Sequence, residues 1–461
     1  MQAGKSRTPT KQDCPDASRR ALLKATGAGL LLMLADTLAE GKRKSARKGK
    51  RAAKRDSARV RVSSGPISGE SLFRDVISYY NIGEHRAGTE ADLQTSDWIA
   101  RELRTAGVPS TFQRFTFPQF FPSEVGLVAG GNPVRAFPLW RPKATGPIPI
   151  NSQLVAFDPQ NNARAVEGRI ALVRFRSDVL SALSREQIEL VTAAAKARAA
   201  AIVAMTESQT GEIVALNVTP AVERWPVPVV LVGARDDHLL DAAVKKKMPV
   251  SLLLNGKDEP RAEARNVIGR ISRGEKLIVV STPQSGWFRC AAERGPGVAL
   301  FLGLARWAAK LQSGPGYLFV STSGHELGGL GIQAFLNEFA LRREQVLCWL
   351  HLGAGIAAFA WEETASGPRR LREADSRRSL MASPELLPQL SESFAGQPGL
   401  TPTAGRSVGE LEFIFKAGYR AFGIAAAHRF HHTPADSPEM TGPELLEPVA
   451  TALVKVLGSM Q

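Results

Sequence analysis

Leu277-Ile278-Val279-Val280-Ser281 is a short, almost continuous apolar run, and Thr282-Pro283-Gln284-Ser285-Gly286 follows it as a polar turn. Such a run suits a strand buried on both faces, because a strand with one wet face would alternate instead. Similar runs recur at 318–321, 346–352 and 421–426, and helical segments at 297–311, 331–339, 385–394 and 443–457 separate them. Strand–helix alternation predicts an α/β fold with a doubly wound, mostly parallel sheet whose site lies beyond the strand C-terminal ends. Toward the N-terminus, residues 68–103 read as helical. Leu72, Val76, Ile77 and Tyr80 form one apolar stripe and Trp98, Ile99 and Leu103 another, with the polar connection His85-Arg86-Ala87-Gly88-Thr89 between them. Residues 110–117 alternate like an edge strand. From about 120 to 258 the character changes to short β-rich runs at 153–157, 169–175, 201–205, 227–232 and 250–254, around an Ala-rich helix at 186–200. The expected organisation is one α/β domain built from 66–119 and 259–461, interrupted by a β-rich insertion at 120–258.

The charge of the chain is unevenly placed. Of 461 residues, 59 are Lys or Arg and 44 Asp or Glu, a net of +15. Residues 1–61 hold 17 basic and 5 acidic side chains, a net of +12, so the remaining 400 carry only +3. The excess therefore says nothing about what the body binds, and a nucleic-acid partner is not expected. Ser18-Arg19-Arg20-Ala21-Leu22-Leu23-Lys24, followed by an apolar run to Leu34, matches the twin-arginine export pattern. The run is too short to span a bilayer, which takes roughly 20 apolar residues. Residues 1–40 are thus read as a twin-arginine signal peptide, with the periplasm or cell exterior as destination. Residues 41–65, rich in Lys, Arg, Ala, Ser and Gly, are read as a basic disordered linker, with weak contact to an anionic surface as its alternative role. In an oxidising compartment Cys290 and Cys348 could pair.

Polar groups cluster just after the expected strands. Glu293 follows the first, His325-Glu326 the second, His351 ends the third, and His428, His431, His432 and Asp436 follow the last. Five of the seven histidines fall here. Glu293, Glu326 and His432 form a donor set that zinc accepts, since catalytic zinc takes three protein ligands plus water. The alternative is that these groups only hydrogen-bond loops at the sheet edge. His325-Glu326-Leu327-Gly328-Gly329 begins like H-E-x-x-H but lacks the second His. Gly405-Arg406-Ser407-Val408-Gly409 matches the G-x-S-x-G elbow of serine hydrolases, whose chain order is Ser, acid, His. No His follows Asp436, and Glu410 and Glu412 sit too close to Ser407 in sequence, so the serine reading is the minor one.

Taken together, these motifs resemble the di-zinc exopeptidases of metallopeptidase family twenty-eight, which include bacterial leucyl aminopeptidases and glutamate carboxypeptidase. Glu84-His85-Arg86-Ala87-Gly88-Thr89, Asn266-Val267-Ile268-Gly269 and above all His432-Thr433-Pro434-Ala435-Asp436-Ser437-Pro438-Glu439 carry the likeness. Residues 120–258 are similar to an inserted protease-associated domain, with Glu167-Gly168-Arg169-Ile170-Ala171-Leu172-Val173 and Val227-Pro228-Val229-Val230 as its marks. Against the family's pattern, Thr282, Gln284 and Gly353 replace metal ligands, and His325 stands where the general-base Glu would be. The resemblance implies that the counterparts of the other zinc's ligands, Glu293, Glu326 and His432, survive. The chain then reads as an exported hydrolase of peptides or amides, with one zinc at most and His325 as base. A catalytically inactive peptidase-like binding module is the rival reading, with Glu293 paired to Arg294 or Arg289.

Overall fold

A computed structural model of the chain describes residues 65, 67–176, 181–219 and 224–460. The twin-arginine motif and the basic linker up to residue 64 lie outside the described residues. No helix among the described residues is long and apolar enough to cross a membrane.

The architecture is a mixed α/β fold around one large sheet. Its centre is the parallel set Ala421–Ala425, Val346–Leu352, Leu277–Pro283 and Gly316–Thr322, in that spatial order. The first of these strands in the chain, Leu277–Pro283, has its sequence successors on opposite sides, which makes its C-terminal end a topological switch point. The long strand Pro249–Ile271 adds antiparallel to Gly316–Thr322, and Ser110–Ala129 pairs with it from Ser110/Gly269 to Ala129/Val250. This pair runs through residues 120 and 258, the ends that the sequence suggests for the insertion. Beyond it, Ile150–Ala156, Ile170–Arg176, Ala201–Glu207 and Val229–Gly233 run parallel to one another, with helices Arg185–Lys196 and Asp237–Lys245 in the connections. The expected helical stretch near the N-terminus divides into Gly69–Ile82 and Glu90–Thr105, each opened by a hydroxyl cap, Ser68 and Thr89.

The apolar runs behave as double-faced burial requires. Leu277–Pro283 and Gly316–Thr322 are buried at every residue. Helix Gly295–Ala309 is apolar on nearly all sides, packs on Leu277–Pro283, and is covered in turn by Gly69–Ile82 and Pro443–Gly458. Its first turn sits against two strand ends. A Cβ on Gly297 would lie 2.8 Å from Thr282 Oγ1 and 3.1 Å from the Gly353 carbonyl oxygen. Cys290 and Cys348 are both buried free thiols, so the disulfide considered from sequence does not form.

The close seating of that helix predicts that Gly297→Ala destabilises the protein by about 1–3 kcal/mol, the usual cost of overpacking a tight contact. Urea unfolding of the two proteins measures it.

Candidate active site

Asp436 builds the base of the site. Its two carboxylate oxygens accept the backbone N–H groups of Ala292 and Glu293, each at 2.9 Å, and so fix the turn that leads into helix Gly295–Ala309. Glu293 and Arg294 project from this turn. Glu326 comes from the short 3₁₀ turn His325–Leu327, bounded by the left-handed residues Gly324 (φ 78°) and Gly328 (φ 76°). His428, His431 and His432 lie in the loop after Ala421–Ala425. His432 has φ 58°, an uncommon conformation for a residue with a Cβ, and its backbone N–H points 3.3 Å from Glu293 Oε2.

The centre is occupied by a side chain. Arg294 is 1% exposed; its Nη2 donates to Glu326 Oε1 at 2.9 Å and lies 3.2 Å from Glu293 Oε1. Its Nε donates to the Ser285 carbonyl oxygen. The other Glu326 oxygen accepts the Ser285 hydroxyl at 2.6 Å. Burial alone would weaken the Arg294 charge, but the neighbouring carboxylates outweigh it and raise its pKa further.

Glu293, His431 and His432 converge beside this ion pair. One ligand atom from each lies within 4.8 Å of the others. His432 Nε2 is 3.4 Å from Glu293 Oε1, and the two imidazoles stack at 3.9 Å. His432 Nδ1 is 3.0 Å from the Ala215 carbonyl oxygen. A carbonyl only accepts, so Nδ1 donates to it and Nε2 faces inward. Burial would raise the Glu293 carboxyl, yet the fields of His432, His431 and Arg294 together hold it well below the usual carboxylate range. Burial, aided by His432, pushes His431 well down. Among the described residues, His431 Nδ1 and His432 Nε2 are buried without a hydrogen-bond partner, a state that costs free energy unless something is coordinated there, while Glu293 Oε1 is shared between the Arg294 guanidinium and His432. Two imidazoles and one carboxylate match zinc donor chemistry, and a backbone carbonyl on the far ring nitrogen is a common support for a metal-bound His. The residues fit one metal ion.

They do not fit a second. Thr282 donates its hydroxyl to the Leu352 carbonyl oxygen, Gln284 donates to Ser96 and accepts from Ser321, and Gly353 has no side chain. Of the three ligands expected from sequence, Glu293 and His432 meet, while Glu326 is turned to Arg294 and Ser285 and lies outside the convergent group. His431 stands in that group instead. The backbone segment from Ala215 to Val218 crosses the site: Ala215 N–H donates to the His432 carbonyl and Val218 N–H to that of Glu326.

His325, the expected base, faces a cavity of about 220 Å³ lined in part by Leu183, Val218, Gly329 and Phe413. Its Nδ1 lies 3.4 Å from Glu410 Oε1. Glu410 is fully buried, and both its oxygens are within 2.9 Å of the Thr322 hydroxyl. Burial would raise Glu410, but His325, His351 and Thr322 outweigh it and hold the carboxyl low. His351 is bound to Ser281 at 2.9 Å and is pushed down to about 4 by burial. His428 Nε2 lies 3.6 Å from Asp436. Ser407 sits in the loop before helix Glu410–Lys416, and no hydrogen bond among the described residues joins it to a histidine.

The fold has close counterparts among solved structures. The chain is similar to a zinc aminopeptidase from Bacillus subtilis (TM-score 0.67, 18% identity, covering 86% of this chain and 96% of that one). A peptidase M28 precursor from Shewanella amazonensis SB2B is similar (0.65, 17%, 85% and 95%), as is an aminopeptidase from Aneurinibacillus sp. strain AM-1 (0.58, 17%, 86% and 94%). At these identities the likeness establishes a shared fold. No protein-family profile matches the chain, and no curated protein matches it in sequence.

Two outcomes follow from the electrostatics. Arg294→Ala leaves Glu293 and Glu326 buried without their cation, and should cost about 3–5 kcal/mol in denaturant unfolding. Asp92, fully buried beneath the Gln284 turn, is raised by burial to about 7 although Gly88 N–H, Ser323 and Gln284 hydrogen-bond to it. The folded state therefore holds a proton there that the unfolded chain releases near its ordinary value of 3.8. The Asp92 contribution to stability should fall as pH rises from about 4 to about 7. Asp92→Asn should gain stability relative to the parent across that window, and an unchanged difference would contradict the assignment.

Proposed function

We propose that this chain is a hydrolase of peptide or amide bonds that uses a single zinc ion held by Glu293, His431 and His432. The observation that carries the reading is the convergence of one ligand atom each from Glu293, His431 and His432 within 4.8 Å, on a fold shared with zinc aminopeptidases. Arg294 serves as a fixed cation that balances Glu326, so a second metal ion is not needed. Zinc, when bound, would supply Lewis-acid polarisation of the scissile carbonyl and a more acidic water. His325 faces a cavity that none of Glu293, His431 and His432 lines; for a substrate that reaches from this cavity to the three ligands, it is the group that accepts the proton of the attacking water and passes it to the leaving amine. Ser285 and Arg294 hold Glu326 in place, and Asp436 holds the turn that carries Glu293. The substrate class is a peptide or a small amide. Residues 1–40 direct twin-arginine export to the periplasm or cell exterior, residues 41–65 form a basic linker, and residues 120–258 form a protease-associated-like insertion within a domain made of 66–119 and 259–461.

A second reading is a non-catalytic binding module. It is favoured by the segment from Ala215 to Val218, which lies over His432 and Glu326 and leaves both almost fully buried. Metal content separates the two. Protein purified without chelator should carry about one equivalent of zinc, and His431→Ala and His432→Ala should each reduce this below about one-tenth and abolish hydrolysis of aminoacyl amides. Glu326→Gln should retain the metal. A folded parent protein without zinc would overturn the metal reading.

A further inference from the structure

Glu410 and His325 come from separate elements that are each held firmly. Glu410 opens helix Glu410–Lys416, and its carboxylate is anchored by the hydroxyl of Thr322 at the end of strand Gly316–Thr322. His325 lies in the tight turn after that strand, where its backbone N–H points 3.3 Å from Ser285 Oγ. Gly409, immediately before Glu410, forms the seat of the imidazole. A Cβ there would lie 3.1 Å from His325 Cε1, and its φ of 60° with ψ of −139° is a conformation that favours glycine. The ring thus has one side against Gly409, a buried Nδ1 that lies 3.4 Å from Glu410 Oε1, just beyond a formed hydrogen bond, and an Nε2 with no hydrogen-bond partner among the described residues, in a side chain that reaches the 220 Å³ cavity. A carboxylate only accepts, so a small approach that closes this contact into a hydrogen bond selects the tautomer with the proton on Nδ1 and the lone pair on Nε2.

We propose that Glu410 is the positioning residue of a His325–Glu410 pair, which fixes His325 so that Nε2 exchanges protons with a substrate or water in the cavity bounded by Leu183, Val218 and Phe413. The catalytic consequence rests on the hydrolase reading above; the geometry of the pair does not. In the reaction, the water O–H bond breaks and its proton goes to His325 Nε2 as the oxygen bonds to the carbonyl carbon. When the C–N bond breaks, that proton passes from Nε2 to the departing amine nitrogen. No redox partner is required. The pair also accounts for Gly409 of the G-x-S-x-G stretch without any role for Ser407.

The test has two arms on the full chain. In the kinetic arm, Glu410→Gln should lower kcat on an aminoacyl amide by about 10²–10⁴-fold with KM little changed, and Glu410→Asp should recover part of the loss. An unchanged kcat in Glu410→Gln overturns the positioning role. In the spectroscopic arm, ¹⁵N-histidine NMR of the parent protein, with His325→Ala for assignment, should show neutral His325 protonated on Nδ1. Glu410→Gln should shift it toward a mixture of tautomers. A parent His325 protonated on Nε2, or a ratio unaffected by Glu410→Gln, overturns the pair. If the parent protein hydrolyses nothing, the hydrolase reading fails while the spectroscopic arm still decides the pair.

Discussion

The guanidinium of Arg294 lies between two buried carboxylates, 2.9 Å from Glu326 and 3.2 Å from Glu293, at 1% exposure. Ions buried this deeply are tolerated only when paired, because the desolvation cost of each charge is several kcal/mol. The pairing ties three elements together: the turn before helix Gly295–Ala309, the 3₁₀ turn His325–Leu327, and the Ser285 loop after strand Leu277–Pro283. It also divides the centre. On one side Glu326 has both oxygens committed, to Arg294 and Ser285. On the other side Glu293 Oε1 lies between Arg294 and His432 Nε2, 3.2 and 3.4 Å away. A fixed cation at this point makes one metal ion chemically sensible and a second one redundant.

The fold explains how these groups meet. Four parallel strands end on the same edge of the sheet, and each hands the chain to a polar turn there. Asp436 closes the arrangement from the last strand, since its carboxylate caps the backbone N–H groups of the Glu293 turn. His432 reaches inward because its backbone takes a left-handed φ and because the Ala215 carbonyl accepts a hydrogen bond from its Nδ1. Thr282 and Gln284 serve structure: Thr282 joins two strand ends, and Gln284 links Ser96 and Ser321.

Much of the fold was legible in the sequence. The near-continuous apolar runs at 277–281, 318–321, 346–352 and 421–426 fall on the four parallel central strands, and their polar successors mark the site, because strand burial and strand ends are written in one-dimensional hydrophobicity. Side-chain direction is not. Glu326 is one residue from His325, yet the αL glycines around that turn aim the two side chains at different partners. Spacing alone does not separate His431 from His428; in the folded loop His431 turns to Glu293 and His428 to Asp436. Glu410 was set aside as an acid for Ser407, and its place beside His325 arises from the packing of helix Glu410–Lys416 against the end of strand Gly316–Thr322. Arg294 was visible only as a candidate ion-pair partner, since nothing in its neighbours' sequence shows that a guanidinium fills the centre.

A zinc-edge anomalous diffraction map of crystals of the full chain, grown with zinc, tests the central claim most directly. The account predicts a single peak bounded by Glu293, His431 and His432, with Arg294 still between Glu293 and Glu326. A peak bonded to Glu326, two peaks in the centre, or no peak at all would contradict it.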